Sequence, residues 1–294
     1  MPDLARAGFP VSICYADEQA GALIAGVPRL GPEITGHYRM LLSKFTGDAP
    51  VRFVRCGLAR RHLAKREYRR PLVGGLGITA RISDTHSELG TICVCAVRGG
   101  QTGFVTAGHV VVTVGRVCYQ PRMHDANNWA AGTATVISNY TAVADSDSAF
   151  LDDATGGNLT RNSIWKSPDQ RYTVTGTATP ALGDMVYMQG AARAAERSGQ
   201  ICATGATVTF DDWGTLNNQY LAVYRSHSGD SGAPVYVKDA NPNVRLVGLN
   251  VGDATAGDIN PPVDHHTYPP PQPGDKYAVI SKWASIEADL GVTR

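Results

Sequence analysis

Chemistry is concentrated in three short stretches of this chain. Ser228-Gly229-Asp230-Ser231-Gly232-Ala233-Pro234 places a serine between two glycines, directly before the strand-like run Pro234-Val235-Tyr236-Val237. Glycine permits turns that other residues resist and clears room beside a neighbouring side chain. A serine hydroxyl attacks poorly unless a base takes its proton and a third group orients that base. A base is offered by Phe104-Val105-Thr106-Ala107-Gly108-His109-Val110, an apolar run whose small residues present a histidine. Imidazole exchanges protons near neutrality, which suits that task. An orienting acid is offered by Asp145-Ser146-Asp147-Ser148-Ala149-Phe150-Leu151. Asp147 is favoured because Ala149 and Leu151 then share its strand face; Asp145 is the second candidate. A hydroxyl, an imidazole and a carboxylate together support nucleophilic attack on an acyl carbon. Taken singly, the serine stretch also reads as a glycine-rich turn before a strand, and the aspartate stretch as a solvated acidic turn.

The elements that must position these groups are mostly strands. From Pro71 onward, short Val/Ile/Thr-rich runs are punctuated by glycine, over residues 89–97, 102–106, 110–117, 133–137, 172–177, 185–188, 201–210, 219–224, 234–237 and 244–251. Many short, closely spaced strands with no sustained helical alternation predict a sandwich or barrel, not a parallel α/β sheet. Residues 252–275 hold six prolines and predict a long loop. Ser281 to Leu290 predicts a terminal helix packed by Trp283, Ile286 and Leu290. Ahead of this body, residues 10–27 predict one or two strands, Pro32 to Phe45 a helix, and Pro50 to Cys56 a strand. They form a small α+β unit over residues 1–58, with a basic linker over 59–72 and the main domain over 73–294. The linker suits a solvated helix face, a site of proteolytic nicking or an anionic partner.

Charge divides along the same line. Residues 1–72 carry 12 Lys+Arg against 6 Asp+Glu, a balance of +6, while the rest carries 15 against 20, a balance of −5. This opposition suits an N-terminal piece that regulates or inhibits an acidic body. The basic run lacks interleaved aromatics, which argues against nucleic acid. No leader-like apolar region and no run near the ~20 apolar residues of a membrane span is visible, so a cytoplasmic protein is expected. The six cysteines form no C-x-x-C pair, and reduced, mostly buried thiols are expected rather than a disulfide framework. His37, His62 and His124 lie in less ordered or charged settings. His265-His266 could suggest a metal pair, but no Cys/Asp cluster accompanies it, so no metal is expected.

Together, Thr106-Ala107-Gly108-His109, Asp147-Ser148-Ala149-Phe150-Leu151 and Gly229-Asp230-Ser231-Gly232-Ala233-Pro234 resemble the chymotrypsin-like (trypsin-fold) serine peptidases, over about residues 73–290. The order His, Asp, Ser is that family's order. The resemblance implies two antiparallel six-stranded β-barrels with a C-terminal helix, and hydrolysis of a protein or peptide substrate through an acyl-enzyme without a cofactor. It further implies His109, Asp147 and Ser231 as the catalytic groups and backbone N–H groups of Gly229 and Ser231 as the oxyanion site. Arg225 falls at the floor of the specificity pocket with Ser226 beside it, and the strand carrying Asn250 and Gly252 would receive substrate backbone. An inward Arg225 would favour an acidic side chain before the scissile bond; an outward or paired Arg225 would not. Two departures place the chain nearer the bacterial branch. Val110 stands where many animal members have cysteine. Arg70-Pro71-Leu72-Val73-Gly74-Gly75 resembles an activation site, but proline after the arginine blocks the cut. Asp230 is therefore expected to pair with an internal cation. A barrel that binds without catalysis is the other reading.

Overall fold

The computed structural model describes residues 13–17, 22–27, 36, 38–40, 50–55, 65, 67–83, 86–121, 129–138, 144–193, 195–210, 214–255, 259–260 and 276–294. They divide into two compact units, Met1–Arg61 and His62–Arg294.

In the first unit, β1 (Ile13–Asp17), β2 (Ala22–Val27) and β3 (Val51–Arg55) form one sheet in that order. The β1–β2 pair is antiparallel and β2–β3 is parallel. A parallel neighbour requires a crossover, and Gly36 and Tyr38–Met40, which lie between β2 and β3, are helical. Tyr38 is buried, with its ring 5.9 Å from that of Phe53. The rest of the helix predicted over Pro32 to Phe45 lies outside the described residues.

The second unit is built from strands. Its first half comprises β4 (Leu72–Gly74), β5 (Gly77–Arg81), β6 (Ser87–Thr91), β7 (Val94–Arg98), β8 (Gln101–Thr106), the single helical turn α1 (Gly108–Val111), β9 (Val117–Tyr119), β10 (Ala130–Ser138) and β11 (Ser148–Asp153). The second half comprises β12 (Leu159–Ser167), β13 (Gln170–Thr177), β14 (Met185–Met188), β15 (Arg197–Phe210), β16 (Gly214–Ala222), β17 (Pro234–Lys238), β18 (Asn243–Thr255), β19 (Ile259–Asn260), β20 (Lys276–Lys282), α2 (Trp283–Leu290) and β21 (Val292–Thr293).

Two sheets result, as a double β-barrel requires. One is antiparallel throughout, in the order β21-β7-β8-β11-β10-β9-β5-β6. In the other, β17, β14, β15, β16, β20 and β18 follow one another, and a β17–β18 pairing closes them into a six-stranded ring. Beyond the ring, β13, β12 and β4 extend the sheet through parallel β18–β13 and β12–β4 pairs. One hydrophobic core runs through both sheets, from Phe104 and Phe150 in the first to Trp165, Tyr236 and Leu246 in the second. Enclosing one such side chain contributes roughly 1.5–3 kcal/mol, more than the ~1 kcal/mol net of a typical hydrogen bond. Burial therefore sets where the sheets lie, and the polar contacts below aim side chains within that frame.

Local predictions are corrected in three places. The predicted strand 110–117 instead begins as α1: His109 to Val111 turn helically, and Val112 takes a φ of 71° before the chain re-enters the sheet at β9. The single strand predicted over 89–97 is two, β6 and β7, parted at Ile92-Cys93. The terminal helix starts at Trp283, because Ser281 and Lys282 complete β20; Trp283, Ile286 and Leu290 are buried as expected. Among the described residues, no helix is long and apolar enough to cross a membrane.

Candidate active site

The first two chemical groups meet because of strand register. In the antiparallel β8–β11 ladder, Thr106 pairs with Ala149 and Val105 with Phe150. Continued past the strand ends, that register brings Gly108 opposite Asp147, and α1 then turns His109 over the carboxylate. Asp147 accepts two hydrogen bonds from His109, one to Oδ1 from the backbone N–H at 2.9 Å and one to Oδ2 from Nδ1 at 2.5 Å. A carboxylate can only accept, so the Nδ1 proton is fixed and Nε2 of a neutral ring is left with a lone pair. Asp147 is fully buried, whereas Asp145 is exposed.

Two residues of the second sheet and one of α2 hold that carboxylate's segment. The backbone N–H of Asp147 donates to Ser281 Oγ at 3.2 Å, and Ser281 Oγ donates to Gln219 Oε1 at 2.9 Å. Gln219 Nε2 returns a bond to the Asp145 carbonyl at 2.8 Å. Asp289 of α2 accepts from Ser138 at 3.0 Å and from the neighbouring Ser146 at 2.5 Å. None of Ser281, Gln219 or Asp289 is marked by a motif; their roles depend on where other strands bring them.

The serine turn is anchored to the histidine segment through Thr91, the last residue of β6. The Thr91 N–H donates to the Ser231 carbonyl at 2.8 Å, and its hydroxyl donates to the Gly229 carbonyl at 2.7 Å. Thr106, three residues before His109, donates in turn to the Thr91 carbonyl at 2.8 Å. Gly232 is packed so closely here that a Cβ would lie 2.4 Å from Thr106 Oγ1 and 2.8 Å from Ala107 N, and its φ of +86° also favours glycine. The Ser231 hydroxyl donates to the Val251 carbonyl at 3.1 Å. Among the described residues, the N–H groups of Gly229 and Ser231 have no intramolecular acceptor.

The expected substrate-binding residues divide. Arg225 is exposed, and the buried side chain is that of Ser226, whose N–H and hydroxyl donate to Asp253 Oδ1 at 2.9 and 2.7 Å. An arginine taken out of water needs a carboxylate partner. Asp253, which no sequence signal singled out, is already held by Ser226, and Lys276 Nζ lies 4.0 Å from its other oxygen. Asp211, an acid near enough in sequence to pair with Arg225, lies outside the described residues. Asn250 is fully buried, and its backbone serves the serine turn rather than an open edge: its carbonyl accepts from Gly232 at 2.7 Å and its N–H donates to Ala233 at 2.9 Å. Gly252 is half-buried beside the irregularity of β18 between Asn250 and Gly252. His37, His62, His124, His265 and His266 lie outside the described residues.

Four cysteines do not compete as nucleophile. Burial pushes the thiols of Cys95, Cys118 and Cys202 up to about 12, and that of Cys93 further. A thiol attacks as thiolate, so these four are inert near neutrality.

No family model matches this sequence, and no curated protein does. Solved structures do match. A glutamic-acid-specific serine protease that uses a histidine triad in substrate binding aligns with 76% of this chain and 99% of its own, at 18% identity and a TM-score of 0.56. Thermobifida fusca protease A aligns over 75% and 96% at 19% identity and a TM-score of 0.54. A Cellulomonas bogoriensis chymotrypsin aligns over the same shares at 20% identity and a TM-score of 0.53. The chain therefore carries the trypsin fold, as its three motifs lead one to expect.

Proposed function

We propose that this protein is a serine endopeptidase that cleaves protein or peptide substrates through an acyl-enzyme. The observation that carries the reading is the buried Asp147–His109 pair, joined through Thr106 and Thr91 to the turn bearing Ser231. Attack begins when the Ser231 hydroxyl leaves the Val251 carbonyl for the imidazole. Oγ bonds to the substrate carbonyl carbon as its proton passes to His109 Nε2. The carbonyl π electrons move to oxygen, and the free N–H groups of Gly229 and Ser231 receive that oxyanion. Such donors are worth about 10²–10³ in rate each. Collapse breaks the C–N bond, and His109 gives the same proton to the leaving amine. Water then repeats the sequence against the ester, with His109 again as base. Throughout, Asp147 keeps the Nδ1 proton in place and stabilises the charged ring.

Ser231→Ala should abolish labelling by a fluorophosphonate probe; persistent labelling would mean that another residue is the nucleophile. One of the similar proteins is specific for glutamic acid, but the exposed Arg225 gives no basis for carrying that preference over. We further propose that the N-terminal unit with its basic linker regulates the barrels, from the opposition of the +6 balance of residues 1–72 to the −5 of residues 73–294. A chain beginning at His62 should cleave peptides faster than the full chain if the unit inhibits. Equal rates would dismiss inhibition.

A further inference from the structure

Lys65 is a buried cation that the mechanism above does not use. It belongs to the basic stretch preceding the barrels, yet only 4% of its surface is exposed. Its backbone carbonyl accepts from Gly77 N–H at 2.8 Å, which ties it to the start of β5. Its ammonium donates to the carbonyls of Gly190 at 2.7 Å and Arg193 at 3.1 Å. The same short loop is held from its other side by Asp230, the residue before the serine. Asp230 Oδ1 accepts from Ala192 N–H at 2.8 Å, and Oδ2 accepts from His227 N–H at 3.0 Å. At Gly190 the carboxylate presses so close that a Cβ would lie 2.0 Å from Asp230 Oδ1, so only glycine fits between acid and lysine. Thr91, already bonded to the serine turn, takes a third grip on the loop through Ala191 N–H at 3.1 Å. The downstream chain is pinned as well: buried Gln120 donates to the Glu67 carbonyl and accepts from Arg69 N–H at 3.0 Å.

We propose that Lys65 is the positioning residue of the serine turn: an internal ammonium, supplied by the segment ahead of the barrels, that braces loop 189–193 and Asp230 so that the Gly229 and Ser231 N–H groups are aimed before substrate arrives. An intact connection from Lys65 into β4 then maintains the site, and a cut between Lys65 and Leu72 would weaken it rather than activate it.

The charge itself can be tested. Burial lowers the Lys65 ammonium from 10.5 to about 8, opposed by the fields of Asp230 and Glu196. His227 and Tyr224 face Asp230, and Lys238 pairs with Glu196. Because the folded state releases this proton first, the lysine's contribution to stability rises from about pH 8 toward 10.5. Its field on Asp230 is lost over the same range. Rate and stability therefore diverge, which a merely structural lysine would not produce.

The test compares full-length wild type, Lys65→Met and Lys65→Arg by fluorophosphonate labelling rate against pH, thermal midpoint, and amide exchange at Ala192 and His227. The effect on rate presupposes that Ser231 is the nucleophile; the effect on exchange does not. Lys65→Met should keep or raise the midpoint, speed exchange at both amides at least tenfold, and slow labelling about 10²-fold, the scale of a misplaced reacting group. Lys65→Arg should recover most of the rate and lose the fall in labelling above about pH 8, since guanidinium stays charged. Wild-type exchange in Lys65→Met overturns the proposal even if no form reacts with the probe, a result that would separately end the peptidase reading. An arginine variant that labels as slowly as the methionine variant, or keeps the same alkaline fall, also overturns it.

Discussion

Asp147 and Asp230 are both buried carboxylates in one barrel unit, and they do opposite kinds of work. Asp147 accepts from the backbone and ring of a single residue, His109, and so aims a side chain. Asp230 accepts from the N–H groups of Ala192 and His227, on two separate loops, and so aims a backbone. Burial pushes the Asp230 carboxyl up, while those N–H groups, His227 and Lys65 oppose the shift. A carboxylate beside an imidazole can serve proton transfer; one fixed between loops and an ammonium can only hold shape. The proposed mechanism thus separates proton handling from oxyanion geometry.

Substitutions can break or sharpen that separation. Asp147→Asn exchanges a pure acceptor for a group that can donate, which would reverse the His109 tautomer. The labelling rate should fall about 10⁴-fold with little change in fold. A fall of tenfold or less would mean that Asp147 does not orient the base. Next in size is the roughly 10²-fold loss expected for Lys65→Met, and its sensitivity to pH distinguishes the bracing role from the proton-handling one. Smallest is Arg225→Ala, on neither carboxylate's network. It should change kcat/KM for peptides with an acidic residue before the scissile bond by less than twofold. A large selective loss for those peptides would return Arg225 to the pocket.

The groups proposed to do chemistry stood out because each sits in a local pattern: an apolar strand ending in small residues before His109, an acid opening an apolar strand, and glycines around Ser231. Groups that hold them did not. Lys65 is one of several basic residues in its run, and only the fold shows that its ammonium is buried against the carbonyls of Gly190 and Arg193. Ser281 and Gln219 are ordinary polar positions in strands until β20 and β16 carry them to Asp147. Among strands, β5 and β20 escaped notice for different reasons. The first is short and starts at glycine, and the second is a nearly continuous buried run that merges into the helix behind it. β12 is polar and exposed over its first half and buried only over Ser163 to Trp165, so it shows no alternation. The run 110–117 misled for a physical reason. Valines favour strands, but the Asp147 hold on the His109 N–H draws the chain into a helical turn.

The central claim is that Ser231, activated by His109, is the nucleophile. It is tested most directly by mapping the site and stoichiometry of the fluorophosphonate adduct on the intact chain. The expected result is one adduct per chain, on the peptide bearing Ser231, and none in a His109→Ala variant over the same time. An adduct elsewhere, or undiminished modification of Ser231 without His109, would contradict it.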